Sequence, residues 1–222
     1  MEKQTVETAS GSIQFREMIT YMLVSTFIST IINSDVILEL NDKIKSGQIA
    51  LDIVKPIDYK KLLFVNTVSK NLYNVIYLLL PTMIISIAIF GINIPSLGNG
   101  FVFIISVILA TLINYMMCFC LGILGFWFSQ LWIMNRLVYD LLALFSGKVI
   151  PLWFFPVMLL KVADCLPFKM IYTVPIFIYL EKYNNQEIVL MLFGQLIWLV
   201  ILFVVSRLLW GRGMKKIVVQ GG

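Results

Sequence analysis

The chain has 222 residues, of which 60% are hydrophobic and only 13% charged, against ~25% charged in soluble domains. Its mean hydropathy of +0.93 and long uncharged runs exclude a soluble globular domain, and the length leaves no room for a second folded domain beside a membrane one. The net charge of +5 and pI near 9.1 read as cytoplasmic anchoring lysines and not as a nucleic-acid footprint.

A hydrocarbon core of ~30 Å takes ~20 apolar residues of helix. Backbone groups in lipid must be satisfied internally, so each such run is helical. The first span is predicted from Met18 to Leu38. It carries Ser25, Ser29 and Asn33 at four-residue intervals, flanked by Thr26 and Thr30, opposite Leu23, Phe27 and Ile31. Two readings of this hydroxyl-rich stripe stand: helix–helix packing through small polar residues, or one wall of a translocation path.

The next segment, "ELNDKIKSGQIALDIVKPIDYKK", is the most structured polar stretch of the sequence. Val36, Ile37, Leu40 and Ile44 keep a helical spacing, with Glu39, Asp42, Lys43 and Lys45 on the other face. Glu39 and Lys43 stand in the favourable i,i+4 order. Gly47 occupies a helix C-cap glycine position, Pro56 ends the next short element, and Asp58 is placed to cap the helix leading into the second span. The segment is either a solvated loop on the headgroups or a docking surface for a cytoplasmic partner.

The second span is predicted from Leu72 to Ile92, followed by the turn "INIPSLGNG" with Pro95, Gly98 and Gly100 as breakers. The third, Phe101 to Phe128, runs 28 residues without a charge. In it Gly122 and Gly125, with Cys118 four before Gly122, favour close packing. Cys118, Cys120 and Cys165 form no disulfide framework. A fourth span begins near Leu137; if helical from there, Lys148 lies about 16 Å in, where a charge costs on the order of 3 kcal/mol unless it reaches water. Pro151, Pro156, Pro167 and Pro175 then break a still apolar run. Irregular backbone at membrane depth must pack against protein or line a cavity, so this run is read as short re-entrant helices on the outer side; a kinked helix plus an interfacial loop is the alternative. The fifth span is predicted from Glu187 to Trp210. The fold class is therefore all-α: a polytopic membrane helix bundle of about five spans plus an outer re-entrant region, in one transmembrane domain over residues 1–222.

Eleven Lys and Arg residues fall on the side holding 39–70 and the tail after Trp210, against five on the other. That places both segments in the cytoplasm, and five spans then put the N-terminus outside. The sequence has no histidine, which removes imidazole bases, His-bound zinc and Ser-His-Asp triads. It also has no phosphate-binding G-x-x-x-x-G-K-[ST] loop. No catalytic, cofactor-binding or metal-ligating residue is assigned, and transport would need energy from a separate subunit.

Five stretches, "EMITYMLVSTFIS", "SGQIALDIVKPIDYKKLLF", "SGKVIPLWFFP", "LPFKMIYTVPIFIYL" and "LLWGRGMKKIVVQGG", occur in the order found in permease subunits of type-2 ABC exporters. Over almost the whole chain from about Phe15, the sequence resembles the bacterial branch described as ABC-2 family transporter protein. The resemblance implies a six-helix permease of the bacterial cytoplasmic membrane that pairs with a second permease, identical or related, and carries two ATP-binding subunits. It implies a coupling role for 39–61, with Glu39, Lys43, Lys45, Gly47, Asp52, Lys55 and Pro56 at the ATPase, and an outer cap for 151–186. Ser25, Ser29, Asn33 and Lys148 become candidates for the translocation path. Two features depart from the pattern. The family has one more helix before "EMITY", and Lys148 stands where a small or apolar residue is expected. Competing readings are a channel or secondary transporter, which would favour inverted repeats, and a non-transporting immunity or anchor subunit.

Overall fold

The computed structural model describes residues 5–8, 11–32, 34–90, 94–128 and 131–220. A short antiparallel hairpin, β1 (Thr5–Thr8) and β2 (Gly11–Gln14), precedes an all-helical bundle. Among the described residues four helical stretches are long and apolar enough to cross a membrane: Arg16–Lys45, Tyr59–Ser86, Leu97–Phe126 and Asn185–Lys216.

The first of these is interrupted. Helix α1 (Phe15–Ile31) stops and α2 (Val36–Lys45) restarts beyond Asp35, where the sequence suggested one run to Leu38. Ser and Asp side chains compete with the helical backbone, and tertiary donors hold the freed carbonyls. Asn114 Nδ2 donates to the Ile32 carbonyl at 3.0 Å and the Tyr139 hydroxyl donates to that of Ser34 at 3.1 Å.

Helices α3 (Gln48–Val54) and α4 (Tyr59–Asn74) follow. A π-helical turn, Val75–Leu79, joins α4 to α5 (Leu80–Phe90). Pro81 is the second residue of α5, and its ring and missing N–H disturb the turn before it; the π turn absorbs the misfit without ending the helix. Helix α6 (Leu97–Ile123) starts earlier than expected, capped by Ser96, with Gly98 and Gly100 inside its first turn and not breaking it.

The predicted fourth span differs most. Helix α7 (Leu131–Phe145) has 15 residues, about 22 Å of helix, short of a hydrocarbon core. Beyond it come a 3-10 turn (Leu152–Phe154), α8 (Val157–Asp164), α9 (Phe168–Ile171) and α10 (Thr173–Tyr179). Pro151, Pro156 and Pro167 each stand just before one of these short elements, and Pro175 lies in the first turn of α10, where its absent N–H leaves no intrahelical bond unmade. Helix α11 (Asn185–Gln220) has 36 residues. Asn184 and Glu187 open it with reciprocal bonds of 2.8 and 2.9 Å, a capping box.

Two cores divide the bundle lengthwise. One joins α1, α6, α9 and α10 around Tyr21, Ile28, Ile113, Trp153 and Ile176; the other joins α2, α3, α4 and α6 around Ile37, Leu40, Ile49, Leu63 and Phe119. At their junction α2 lies tight on α6: a methyl group at Gly122 would stand 3.0 Å from the Leu40 side chain, and one at Gly125 would press on Ile44 and Leu131. The close packing expected at both glycines is the contact that seats α2.

Candidate functional site

Two constellations collect the candidate residues. The first is an elbow built from α2, α3 and the start of α4. Helix α2 buries Val36, Ile37, Leu40 and Asn41. Gly47 then adopts φ +71°, the left-handed conformation that lets the chain reverse into α3. Asp58 accepts from the Lys60 N–H at 3.0 Å and starts α4.

The elbow is locked from inside. Asp52 is buried, and its carboxylate accepts from Lys43 Nζ at 2.9 Å and Lys55 Nζ at 2.6 Å. The hydrogen bond from Lys55, and next that from Lys43, hold the Asp52 carboxyl below the usual carboxylate range. Lys43 Nζ also lies 4.9 Å from the centre of the Tyr59 ring. The expected Glu39–Lys43 pair is not formed: Lys43 turns to Asp52, and Glu39 pairs with Lys70 on α4 at 3.5 Å. Both side chains find partners on neighbouring elements, which a single-helix pattern does not contain. Lys45, Gly47 and Pro56 are exposed.

Three residues outside the expected set complete the elbow's outer surface. Leu51, Val54 and Ile57 are 68%, 84% and 58% exposed, on a charged segment that belongs outside the hydrocarbon. Ile49 and Ile53 face inward, buried and half-buried, so "QIALDIVKPI" is apolar on two sides. That doubled pattern is the signal by which the ridge could have been found.

The second constellation is the turn Ser146–Gly147–Lys148 at the end of α7. Lys148 is not inside a helix; the chain leaves α7 with Gly147 at φ +79°. Every carbonyl of the turn has a donor. Ser146 accepts from the N–H and hydroxyl of Thr173 at 3.1 and 2.7 Å, Gly147 from the Tyr21 hydroxyl at 2.5 Å, and Lys148 from the Ser25 hydroxyl at 2.7 Å. The Lys148 N–H donates to the Ser146 hydroxyl at 3.1 Å. An open turn inside a membrane bundle needs this complete satisfaction. Ser29 donates to the Ser25 carbonyl at 2.9 Å, while Thr26 and Thr30 bond back to their own helix. Asn33 lies outside the described residues. Lys148 Nζ is half-buried, 5.6 Å from the Tyr172 ring centre, and makes no ion pair among the described residues.

Residues 7–221 match the family model described as ABC-2 family transporter protein. The chain belongs to this family. It is accordingly a multi-pass membrane protein and the permease component of an ABC transporter, a family whose membrane part works with an ATP-binding subunit. No curated protein and no solved structure matches it. In this ABC-2 family chain the elbow is ion-paired and exposes Leu51, Val54 and Ile57, and the clamped turn links α1, α7 and α10 by hydrogen bonds.

Proposed function

We propose that the chain is the membrane subunit of a bacterial exporter, moving a drug-, antibiotic- or peptide-like substrate out across the cytoplasmic membrane on energy from a separate ATPase. In this reading a second permease completes the path, and the elbow is the docking element for the ATPase. The observation that carries it is the ridge of Leu51, Val54 and Ile57, which stands exposed on a charged segment while the Asp52 bridges fix its shape. An exposed apolar ridge with a polar rim is what a partner surface requires. Lys45, Gly47, Lys55 and Pro56 form that rim; Glu39, Lys43 and Asp52 act from behind it by holding α2, α3 and α4 together.

The test is co-purification with the ATPase encoded beside the permease. Cysteines at Ser46 and Gln48, in a chain with the exposed Cys165 replaced by serine, should cross-link to it. Leu51→Asp with Val54→Asp should abolish both the cross-link and export while the permease remains folded. An intact complex carrying the double substitution would defeat the docking assignment.

Lys148 belongs to the same proposal. A half-buried ammonium with no carboxylate partner among the described residues is costly unless it meets water or an anionic group, so it is assigned to a water-filled vestibule on the path. Lys148→Met should alter export of charged substrates and leave neutral ones unchanged. Equal export of both would leave this lysine as a snorkelling side chain.

A further inference from the structure

A groove of about 620 Å³ lies between α4, α6 and α11 at the end of the bundle that carries the elbow. Its floor is apolar, formed by Phe64, Leu112, Met116 and Phe203, and its rim carries Lys60, Lys61 and Arg207. None of these three cations makes an ion pair among the described residues. Asp58, the one carboxylate at the rim among the described residues, accepts from the Lys60 N–H in the first turn of α4. Lys60 turns its ammonium to the Trp210 ring, 5.7 Å from its centre, which leaves Lys61 and Arg207 as the cations for the groove. Arg207 follows Asn185 by 22 residues along α11, about 33 Å of helix. That is about one hydrocarbon thickness, so the rim sits where acyl chains give way to headgroups.

We propose that this groove binds an anionic glycerophospholipid of the cytoplasmic leaflet, its phosphodiester between Lys61 and Arg207 and one acyl chain along the apolar floor. Unpaired cations above an apolar cleft between helices match both parts of such a molecule, whereas a zwitterionic lipid would bring its own cation to a rim already short of anions. The inference does not rest on the transport reading. It would stand for this chain whether or not the elbow docks an ATPase.

Native mass spectrometry of the purified full chain in detergent, titrated with phosphatidylglycerol and with phosphatidylcholine of the same acyl composition, tests it. Phosphatidylglycerol should bind roughly tenfold tighter or more, at ~fivefold for each basic residue near the charge. Lys61→Gln with Arg207→Gln should lower that affinity about thirtyfold on the same scale, and the charge-keeping pair Lys61→Arg with Arg207→Lys should restore it. Lys215→Gln with Lys216→Gln, on the tail outside the groove, should leave it unchanged. Equal binding of the two lipids by the unaltered chain would overturn the proposal without need of any variant. So would an equal loss in the tail variant, which would assign the attraction to the general basic surface, or displacement of the lipid by millimolar inorganic phosphate, which would make this a free-phosphate site.

Discussion

Gly147 carries two constraints at once. Its φ of +79° is left-handed, and a methyl group there would run into the hydroxyls of Thr173 and Tyr21 that hold the turn. A left-handed L-residue costs ~1–2 kcal/mol, and displacing the Tyr21 hydroxyl takes the donor from the buried Gly147 carbonyl for ~1–3 kcal/mol more. Gly147→Ala should therefore destabilise the chain by about 2–5 kcal/mol, read as a fall in thermal midpoint in detergent. Gly98→Ala is the control: that glycine is helical with open space around it, and alanine should be neutral or slightly stabilising. Tyr21→Phe removes one donor and leaves the Gly147 carbonyl unpaired, so its cost should fall between the two. A similar loss from both glycine changes would show that the turn is not the constrained point.

At the scale of elements, the elbow stands on one carboxylate and two lysines. The folded Asp52 carboxyl titrates below its unfolded value because Lys55 and Lys43 bind the charged form. Its contribution is therefore present above the unfolded value of ~4 and is lost as pH falls through the lower folded value. Proteolytic nicking of 48–58 should therefore be flat above about pH 5 and rise only below about pH 4. Asp52→Asn should raise nicking across the whole range and remove the acid step, with a loss of about 1 kcal/mol because Lys55 is largely exposed. Nicking that titrates near neutrality would mean that another group controls the elbow.

The elbow also illustrates what a linear sequence carries. The reversal at Gly47, the Asp58 cap and the buried face of α2 depend on local chemistry and were legible from it. The spans were legible for a related reason, because hydrocarbon thickness sets a length that can be counted. The breaks were harder. Ending α1 at Ile31 and α7 at Phe145 depends on Asn114, Tyr139, Tyr21 and Thr173 reaching across 27 to 126 residues to catch freed carbonyls, and nothing near the break announces them. The same holds for Glu39 and Lys43, whose nearest helical partners lost to residues on other elements.

For the whole molecule, sidedness organises everything else: which end meets an ATPase, which leaflet supplies lipid, which end releases substrate. The two ends differ in construction. One holds the elbow, the groove and the last turns of α11, which at 36 residues is about 54 Å long and overshoots a ~30 Å core. At the other, Lys182 pairs with Glu17 at 2.9 Å, and Glu181 accepts from the Ser96 N–H at 2.8 Å and from Asn99 Nδ2 at 3.0 Å. These bonds tie α1, α6 and the α10–α11 corner together. The eleven basic residues assigned to the elbow side and tail against five on the other are the ground on which we propose that the elbow end is the cytoplasmic one, by the positive-inside bias. In a chain with Cys165 replaced, Gln186→Cys should react with a membrane-impermeant maleimide in intact cells, and Lys215→Cys only after permeabilisation. Both probe sites are exposed, so silence at either is a matter of side and not of burial. Labelling of Lys215→Cys from outside would turn the molecule over, moving the elbow away from any cytoplasmic ATPase and the groove to the outer leaflet in one measurement.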